Sequence, residues 1–247
     1  MSTLPDPVAI AESPQALAQA NQWLASQSAP ARVEWALATL AGEHALSSSF
    51  GAQAAVSLHL VTRLRANIPV ILIDTGYLFA QTHAFAHALR ERMDLNLRVF
   101  RPHPQDAWSK TQVSRLRERG SAAIGQYNRV HKVAPMHRAL AELGVSTWIA
   151  GLRRSQSSTR AHIDFLELRD GRWKLHPLAD WSDRDVHRYL EAHDLPYHPL
   201  WQRGYTSIGD THSTRRWEPG LREEDLRFFG LRRECGLHFD DEAGRAA

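Results

Sequence analysis

The chain has 247 residues, 43% of them hydrophobic and 23% charged, with a formal net charge of +3 from 30 Lys and Arg against 27 Asp and Glu. A chain of this size can bury a core without disulfide or metal staples, and its one cysteine, Cys235, can form neither an internal disulfide nor a metal site of several thiolates. No apolar run approaches the roughly 20 residues that span a bilayer, and residues 1–12 hold neither a basic cluster nor an apolar signal core, so a cytoplasmic protein away from the membrane is expected.

Residues 14–26 and 31–41 read as two amphipathic helices anchored by Leu17, Trp23 and Leu24, then Trp35 and Leu40. A short strand over 44–46 meets the polar break Ser47-Ser48-Ser49-Phe50-Gly51, and a helix over 52–64 follows, with Val56, Leu60 and Leu64 on one face. Pro69-Val70-Ile71-Leu72-Ile73 is a continuous apolar run, as in a parallel strand buried on both faces. It stops at Asp74-Thr75-Gly76, and a helix resumes near Gln81. Strands over 97–100 and 147–150 come next, with helical sequence between them. This alternation predicts a doubly wound, mostly parallel α/β sheet, whose ligands sit beyond the carboxyl ends of the strands.

After Gly151 the pattern changes. Residues 163–168 and 173–175 flank Arg169-Asp170-Gly171, a hairpin with Asp-Gly at its turn. Residues 182–193 form a helix with Ser182 as N-cap and Asp185 at the third position. From Pro196 the chain is rich in Gly, Pro, Arg, His and aromatics with little periodicity, so this tail is either disordered or shaped by a ligand. With no repeat and no linker, one domain over 1–247 is expected, with N-terminal helices (1–43), a nucleotide-binding core (44–195) and a mobile C-terminal tail (196–247).

Four segments can carry chemistry. The Ser47 loop is either an anion site at a helix N-terminus or a Ser cap with a polar approach. Without a following Gly-Lys-Ser/Thr it is no Walker loop. Asp74 either accepts hydrogen bonds from a ribose or base, or caps the next helix. The loop of residues 151–160 holds Arg153, Arg154 and Arg160 with four hydroxyls, which suits phosphate or sulfate, since Arg offers a bidentate fork; a solvated basic loop is the plainer alternative. Arg215 with Arg216, and Arg232 with Arg233, are further pairs; such small groups suit a small multiply charged ligand better than nucleic acid. Cys235 stands in Arg232-Arg233-Glu234-Cys235-Gly236-Leu237-His238, where neighbouring cations would favour the reactive thiolate. His83 and His87 are at helical spacing but have no third ligand nearby, so no metal site is expected.

Taken in order, these pieces resemble the phosphoadenylyl-sulfate (PAPS) reductase family, thioredoxin-dependent enzymes of sulfate assimilation. The resemblance rests on the Ser47 loop, Asp74-Thr75-Gly76-Tyr77, Lys132-Val133 with Pro135-Met136, and Gly151-Leu152-Arg153-Arg154. It continues through Tyr197-His198-Pro199-Leu200-Trp201, Gly209-Asp210-Thr211-His212, Arg216-Trp217-Glu218-Pro219-Gly220 and Glu234-Cys235-Gly236-Leu237-His238. It implies an ATP-pyrophosphatase-like (adenine nucleotide alpha hydrolase) fold. The pyrophosphatases' Ser-Gly-Gly and following Asp are Ser, Phe and Gln here, which argues against ATP cleavage. Adenylyl-sulfate reductases hold a four-iron cluster on a Cys-Cys pair and a Cys-x-x-Cys. This chain has Tyr127-Asn128 near the first and Asp210 and Ser213 at the second, and one cysteine cannot supply four thiolates.

By resemblance, Cys235 attacks the sulfuryl group to leave a cysteine S-sulfonate, and thioredoxin or glutaredoxin releases sulfite, no iron-sulfur cluster or other cofactor being bound. Cys235 and His238 are the implied catalytic residues. Ser47, Ser48, Ser49, Phe50 and Gly51, Asp74 and Gly76, Lys132, Gly151, Arg153, Arg154, Arg160, Arg215 and Arg216 are the implied substrate-binding set. The 3′-phosphate falls to Ser47–Ser49 or Arg160, the tail closes as a lid, and a homodimer is common in the family. The competing readings are an ATP-dependent adenylating enzyme of the same fold and a regulatory nucleotide- or RNA-binding protein.

Overall fold

The computed structural model describes residues 7–232 and 234–237. Helices α1 (Pro7–Glu12), α2 (Pro14–Ala25) and α3 (Ala29–Thr39) open the chain. Ser13 and Ser28 cap α2 and α3, each accepting from a backbone N–H three residues on, with a proline in the first turn. The core then alternates as β1 (Glu43–Ser47), α4 (Ala55–Leu64), β2 (Val70–Ile73), α5 (Ala80–Met93) and β3 (Leu97–Phe100). Helices α6 (Lys110–Ser114) and α7 (Leu116–Asn128), a π-helical turn (Arg129–Val133) and α8 (Ala134–Glu142) lead to β4 (Val145–Ala150). The hairpin β5 (Leu166–Arg169) and β6 (Arg172–Leu175) and the helix α9 (Asp183–Ala192) complete the regular elements.

The six strands lie in the order β3-β2-β1-β4-β6-β5, all neighbours parallel except β5 with β6. One face carries the main core, where Leu24, Val33, Leu58, Val61, Leu89 and Leu190 from α2, α3, α4, α5 and α9 are essentially water-free. Each such side chain contributes about 1.5–3 kcal/mol on burial. On the other face Met136, Ala139 and Leu140 of α8 pack on Ala45, Ile71 and Trp148. Helices on both faces make the sheet doubly wound, as the sequence pattern predicts. The hairpin turn has Asp170 and Gly171 both at positive φ (51° and 71°), the conformation an Asp-Gly pair favours. The α9 capping box closes as expected, Ser182 Oγ accepting from Asp185 N–H while Asp185 accepts from Ser182 N–H.

Two expectations need correcting. The helix after β1 begins at Ala55, not Ala52, because residues 52–54 form a turn. The segment from Pro196 to Arg232, read as disordered or shaped by a ligand, folds onto the core through short 3-10 turns and buries Leu200, Ile208, Leu226 and Phe228. Its anchors are polar and long-range, so no periodicity announces them.

Candidate functional site

The carboxyl ends of β1, β2 and β4 bring Ser47, Asp74 and Gly151 to one edge of the sheet. Ser47 Oγ accepts from Trp148 Nε1–H at 2.7 Å, Ser48 N–H donates to Ile71 O at 3.0 Å, and Ser48 Oγ accepts from Phe50 N–H at 3.1 Å. Phe50 is fully buried at φ 48°, turning the chain so that its ring enters the core and Gly51 leads into the turn before α4. The serines therefore do not cap α4; they form a separate polar loop one turn ahead of it.

Asp74 does not cap α5, whose N-cap is Phe79. Its carboxylate accepts from Gly76 N–H at 3.0 Å and pairs with Arg101 at 2.8 Å, which fixes the turn after β2. Gly151 sits where a Cβ would lie 2.9 Å from Ser57 Oγ, so α4 packs directly on the end of β4. Arg153 is buried and donates to Gln53 and Asp183 at 2.7 and 2.8 Å, tying the start of α4 to α9. Arg154 donates to Ile163 O and lies over the Phe165 ring. Both arginines brace the loop that the sequence marked as an anion site.

The polar centre lies beyond β2. Asp210 is fully buried, pairs with Lys132 Nζ at 2.7 Å, and accepts from Thr75 Oγ1 at 2.5 Å and Tyr127 OH at 3.2 Å. Burial pushes this carboxyl up, but the Lys132 charge and the hydrogen bonds from Lys132 and Thr75 outweigh it and hold it well below the usual carboxylate range. Burial, then the Asp210 charge, drives the Tyr127 phenol far above its ordinary value. His131 takes Trp108 N–H on Nε2 and gives its Nδ1 proton to Thr75 O, and burial lowers its pKa. Burial holds His212 at about 4, so it is neutral near pH 7. Lys132 reaches this centre from the π-helical turn and also lies 4.7 Å from the Phe228 ring centroid.

Cys235 is half-buried against the aromatic cluster of Trp108, Tyr127 and Phe228 that walls this centre. Arg227 lies over the Phe228 ring at 5.2 Å, its pKa lowered by burial and raised in part by the charges of Asp210 and Cys235. Among the described residues the Arg227 Nε has no hydrogen-bond partner.

With this geometry in view, comparison with known proteins is informative. Residues 43–216 match the profile of the phosphoadenosine phosphosulfate reductase domain. The chain is 57% identical over 240 residues to a phosphoadenosine 5′-phosphosulfate reductase of Xanthomonas campestris pv. campestris, covering 97% of this chain and 100% of that one. The chain belongs to the phosphoadenosine phosphosulfate reductase family. A family member from Zymomonas mobilis is 55% identical over 92% of this chain and 93% of its own. The crystal structure of a Candida auris PAPS reductase in complex with phosphate superposes with a TM-score of 0.69 at 26% identity, covering 82% of this chain and 98% of that one. A Candida glabrata FMN adenylyltransferase shares the fold alone, at a TM-score of 0.55 and 15% identity over 89% of this chain and 74% of that one. The fold is thus the adenine nucleotide alpha hydrolase-like type that the sequence predicts.

Within this family member, several expected site residues converge and others do not. Lys132 and Cys235 border the polar centre, whereas Arg215 and Arg216 are exposed, Arg216 packing over Gly204. Arg160 binds Glu234 on the tail. His238 and Arg233 lie outside the described residues. Arg227, which the expected set lacks, packs against Gly209 and over the Phe228 ring. It is an isolated arginine in Asp225-Leu226-Arg227-Phe228 and belongs to none of the Arg pairs that drew notice. Below Cys235, Gly236 and Leu237 border a cavity of about 520 Å³ lined by Arg129, Trp148, Arg172 and Lys174. Among the described residues no helix is long and apolar enough to cross a membrane, and no group of three His, Cys, Asp or Glu side chains could hold a metal ion.

Proposed function

We propose that this protein reduces 3′-phosphoadenosine 5′-phosphosulfate to sulfite and adenosine 3′,5′-bisphosphate, with Cys235 as nucleophile and reduced thioredoxin or glutaredoxin as electron donor. The observation that carries the reading is the contact of the chain's one cysteine with the aromatic cluster of Trp108, Tyr127 and Phe228, over which Lys132 of the Lys132–Asp210 pair also lies. The Cys235 thiolate attacks the sulfuryl sulfur, a new S–S bond forms, and the S–O bond to the 5′-phosphate breaks with its electron pair leaving on the phosphate oxygen. Arg227 and Lys132 supply positive charge that offsets the repulsion between thiolate and polyanion and stabilises the departing phosphate. Ser48 and Ser49 hold phosphate at the carboxyl edge of β1, and the turn of Asp74 and Gly76 borders the nucleoside.

The product on the enzyme is a cysteine S-sulfonate. A donor thiolate attacks Cys235 Sγ, sulfite leaves with the S–S electron pair, and the donor's second thiol resolves the mixed disulfide, so the donor emerges oxidised. The enzyme has no second cysteine for this step, so both electrons come from the partner. A cytoplasmic setting, where thiols are kept reduced, suits that requirement.

Intact-mass spectrometry after incubation with the proposed substrate and no thioredoxin tests the reading. A gain of about 80 Da, the mass of a transferred SO₃ group, is expected on the wild type and absent from Cys235→Ser, which still binds adenosine 3′,5′-bisphosphate. Fully reduced wild type of unchanged mass would defeat the proposal. The same experiment with adenylyl sulfate reads substrate preference.

A further inference from the structure

The carboxylate of Glu234, next to the cysteine, is seated in a cradle of four donors. Its Oε1 accepts from Thr159 Oγ1 at 2.7 Å, Arg160 Nε at 2.8 Å and Ser157 Oγ at 3.2 Å, while Oε2 accepts from Arg160 Nη2 at 2.8 Å. The ion pair is largely enclosed, with side-chain exposures of 15% and 12%. Gln156 Oε1 accepts from Arg160 Nη1 at 2.6 Å and so orients the guanidinium. The loop's 3-10 turns over Arg154–Gln156 and Ser158–Arg160 turn these donors toward one point. A fork of two parallel N–H···O bonds plus two hydroxyls is the geometry that recognises a single oxyanion, and here the chain's own tail provides it.

We propose that Ser157, Thr159 and Arg160 form a latch for Glu234, making Arg160 and Glu234 positioning residues that seat Cys235 against the aromatic wall of Trp108, Tyr127 and Phe228. The inference rests on the reductase reading and assigns Arg160 to the tail rather than to a substrate phosphate. The physical ground is leverage. Cys235 follows Glu234 directly, so fixing one carboxylate fixes the approach of the sulfur, and displacement of a reacting atom by about 1 Å can cost two orders of magnitude in rate. Two residues before Glu234, Arg232 also lies against α7 at Gly125, where a Cβ would come within 2.7 Å of the Arg232 guanidinium. After the cysteine, Leu237 packs against the cluster of Met136, Ala139 and Leu140, so the described stretch is held by a charge and close packing before the sulfur and by an apolar contact after it.

The test compares Glu234→Gln, Arg160→Gln and the double variant with the wild type in three measurements. In single turnover, each single variant should form the S-sulfonate about 10–100-fold more slowly. The double variant should be no slower than either single one, since one interaction is lost in all three. Affinity for adenosine 3′,5′-bisphosphate by calorimetry should stay within about twofold, because the latch acts on the sulfur's position and not on nucleotide binding. Alkylation of Cys235 by iodoacetamide should accelerate about threefold or more as the tail opens. Glu234→Asp, which keeps the charge on a shorter stem, should fall between Gln and wild type and so guards against a variant that merely misfolds. Wild-type rates in Glu234→Gln, multiplicative losses in the double variant, or a tenfold loss of nucleotide affinity in Arg160→Gln would each overturn the latch. If the wild type itself gains no SO₃ mass, the reductase reading falls, and the latch is then decided by the alkylation rates.

Discussion

Two buried basic side chains, Arg32 on one side of the molecule and Lys132 on the other, are paired with aspartates to different ends. Arg32 is 1% exposed, yet all three of its nitrogens are engaged. It donates to both Asp180 oxygens at 2.7 Å, to Leu24 O at 2.7 Å and to Pro177 O at 2.8 Å, and it lies over the Phe165 ring. Asp180 itself reaches solvent. The Lys132–Asp210 pair is sealed on both sides, and around it polar atoms remain over: among the described residues Arg227 Nε and both His212 nitrogens have no hydrogen-bond partner. Surplus donors in an enclosed space are costly to keep. A cluster with every group matched is a brace; a cluster with donors left over suits the incoming anion of the proposed reaction.

Substitutions can break that contrast. Asp210→Ala leaves the Lys132 charge enclosed without its partner and should cost about 3–5 kcal/mol in chemical denaturation, together with loss of S-sulfonate formation. Arg227→Gln should slow S-sulfonate formation about 100- to 1,000-fold while the melting temperature moves by only a few degrees, about the shift of a 1 kcal/mol change; equal losses of rate and stability would make Arg227 another brace. Arg32→Leu should show the opposite split. It is expected to lose about 2–3 kcal/mol of stability, as for hydrogen bonds to a charged group, with an unchanged rate per folded molecule, and a rate defect there would erase the distinction.

The smallest expected effect is on pH. Burial holds His198 and His212 at about 4, against an ordinary value of 6.5. Between those values the unfolded chain binds protons that the folded chain does not, so stability is full above about 6.5 and falls as pH drops toward 4. His198 Nδ1 accepts from Leu200 N–H, leaving Nε2 to donate to Thr82 Oγ1, an arrangement that protonation breaks. A loss of about 1–2 kcal/mol for each of the two histidines on going from about pH 7 to pH 5 is expected in denaturant melts, and His198→Gln should remove its share and leave that of His212.

The parts held by local or apolar patterns were legible in advance. The run at 69–73 became β2, Asp170-Gly171 became the hairpin turn, and Ser182 with Asp185 became a capping box. The polar centre was not, because Asp210 meets Thr75 and Tyr127 across 135 and 83 residues of chain. Asp210 stood out in the sequence as part of Gly209-Asp210-Thr211-His212 and as one position of a missing Cys-x-x-Cys, with no sign of its partners. Arg153 and Arg154 had partners the sequence did not announce: their charges hold Asp183 and the Ile163 carbonyl, from residues outside their own loop. Arg227 carried no local signal, since it is an isolated arginine whose neighbours Gly209, Thr214 and Phe228 follow no periodic pattern.

The π-helical turn between α7 and α8 makes spacing there matter more than chemistry. Ahead of it, Ile124 and Tyr127 point to the aromatic wall; after it, Met136, Ala139 and Leu140 point to the sheet, and Lys132 lies at the seam. Such a turn is one residue spliced into an α-helix, so removing any single residue from Arg129–Val133 would rewind the seam and rotate one half against the other by about 100°, one residue's share of a 3.6-residue turn. A one-codon deletion here should therefore do more damage than most point substitutions, whichever residue it removes.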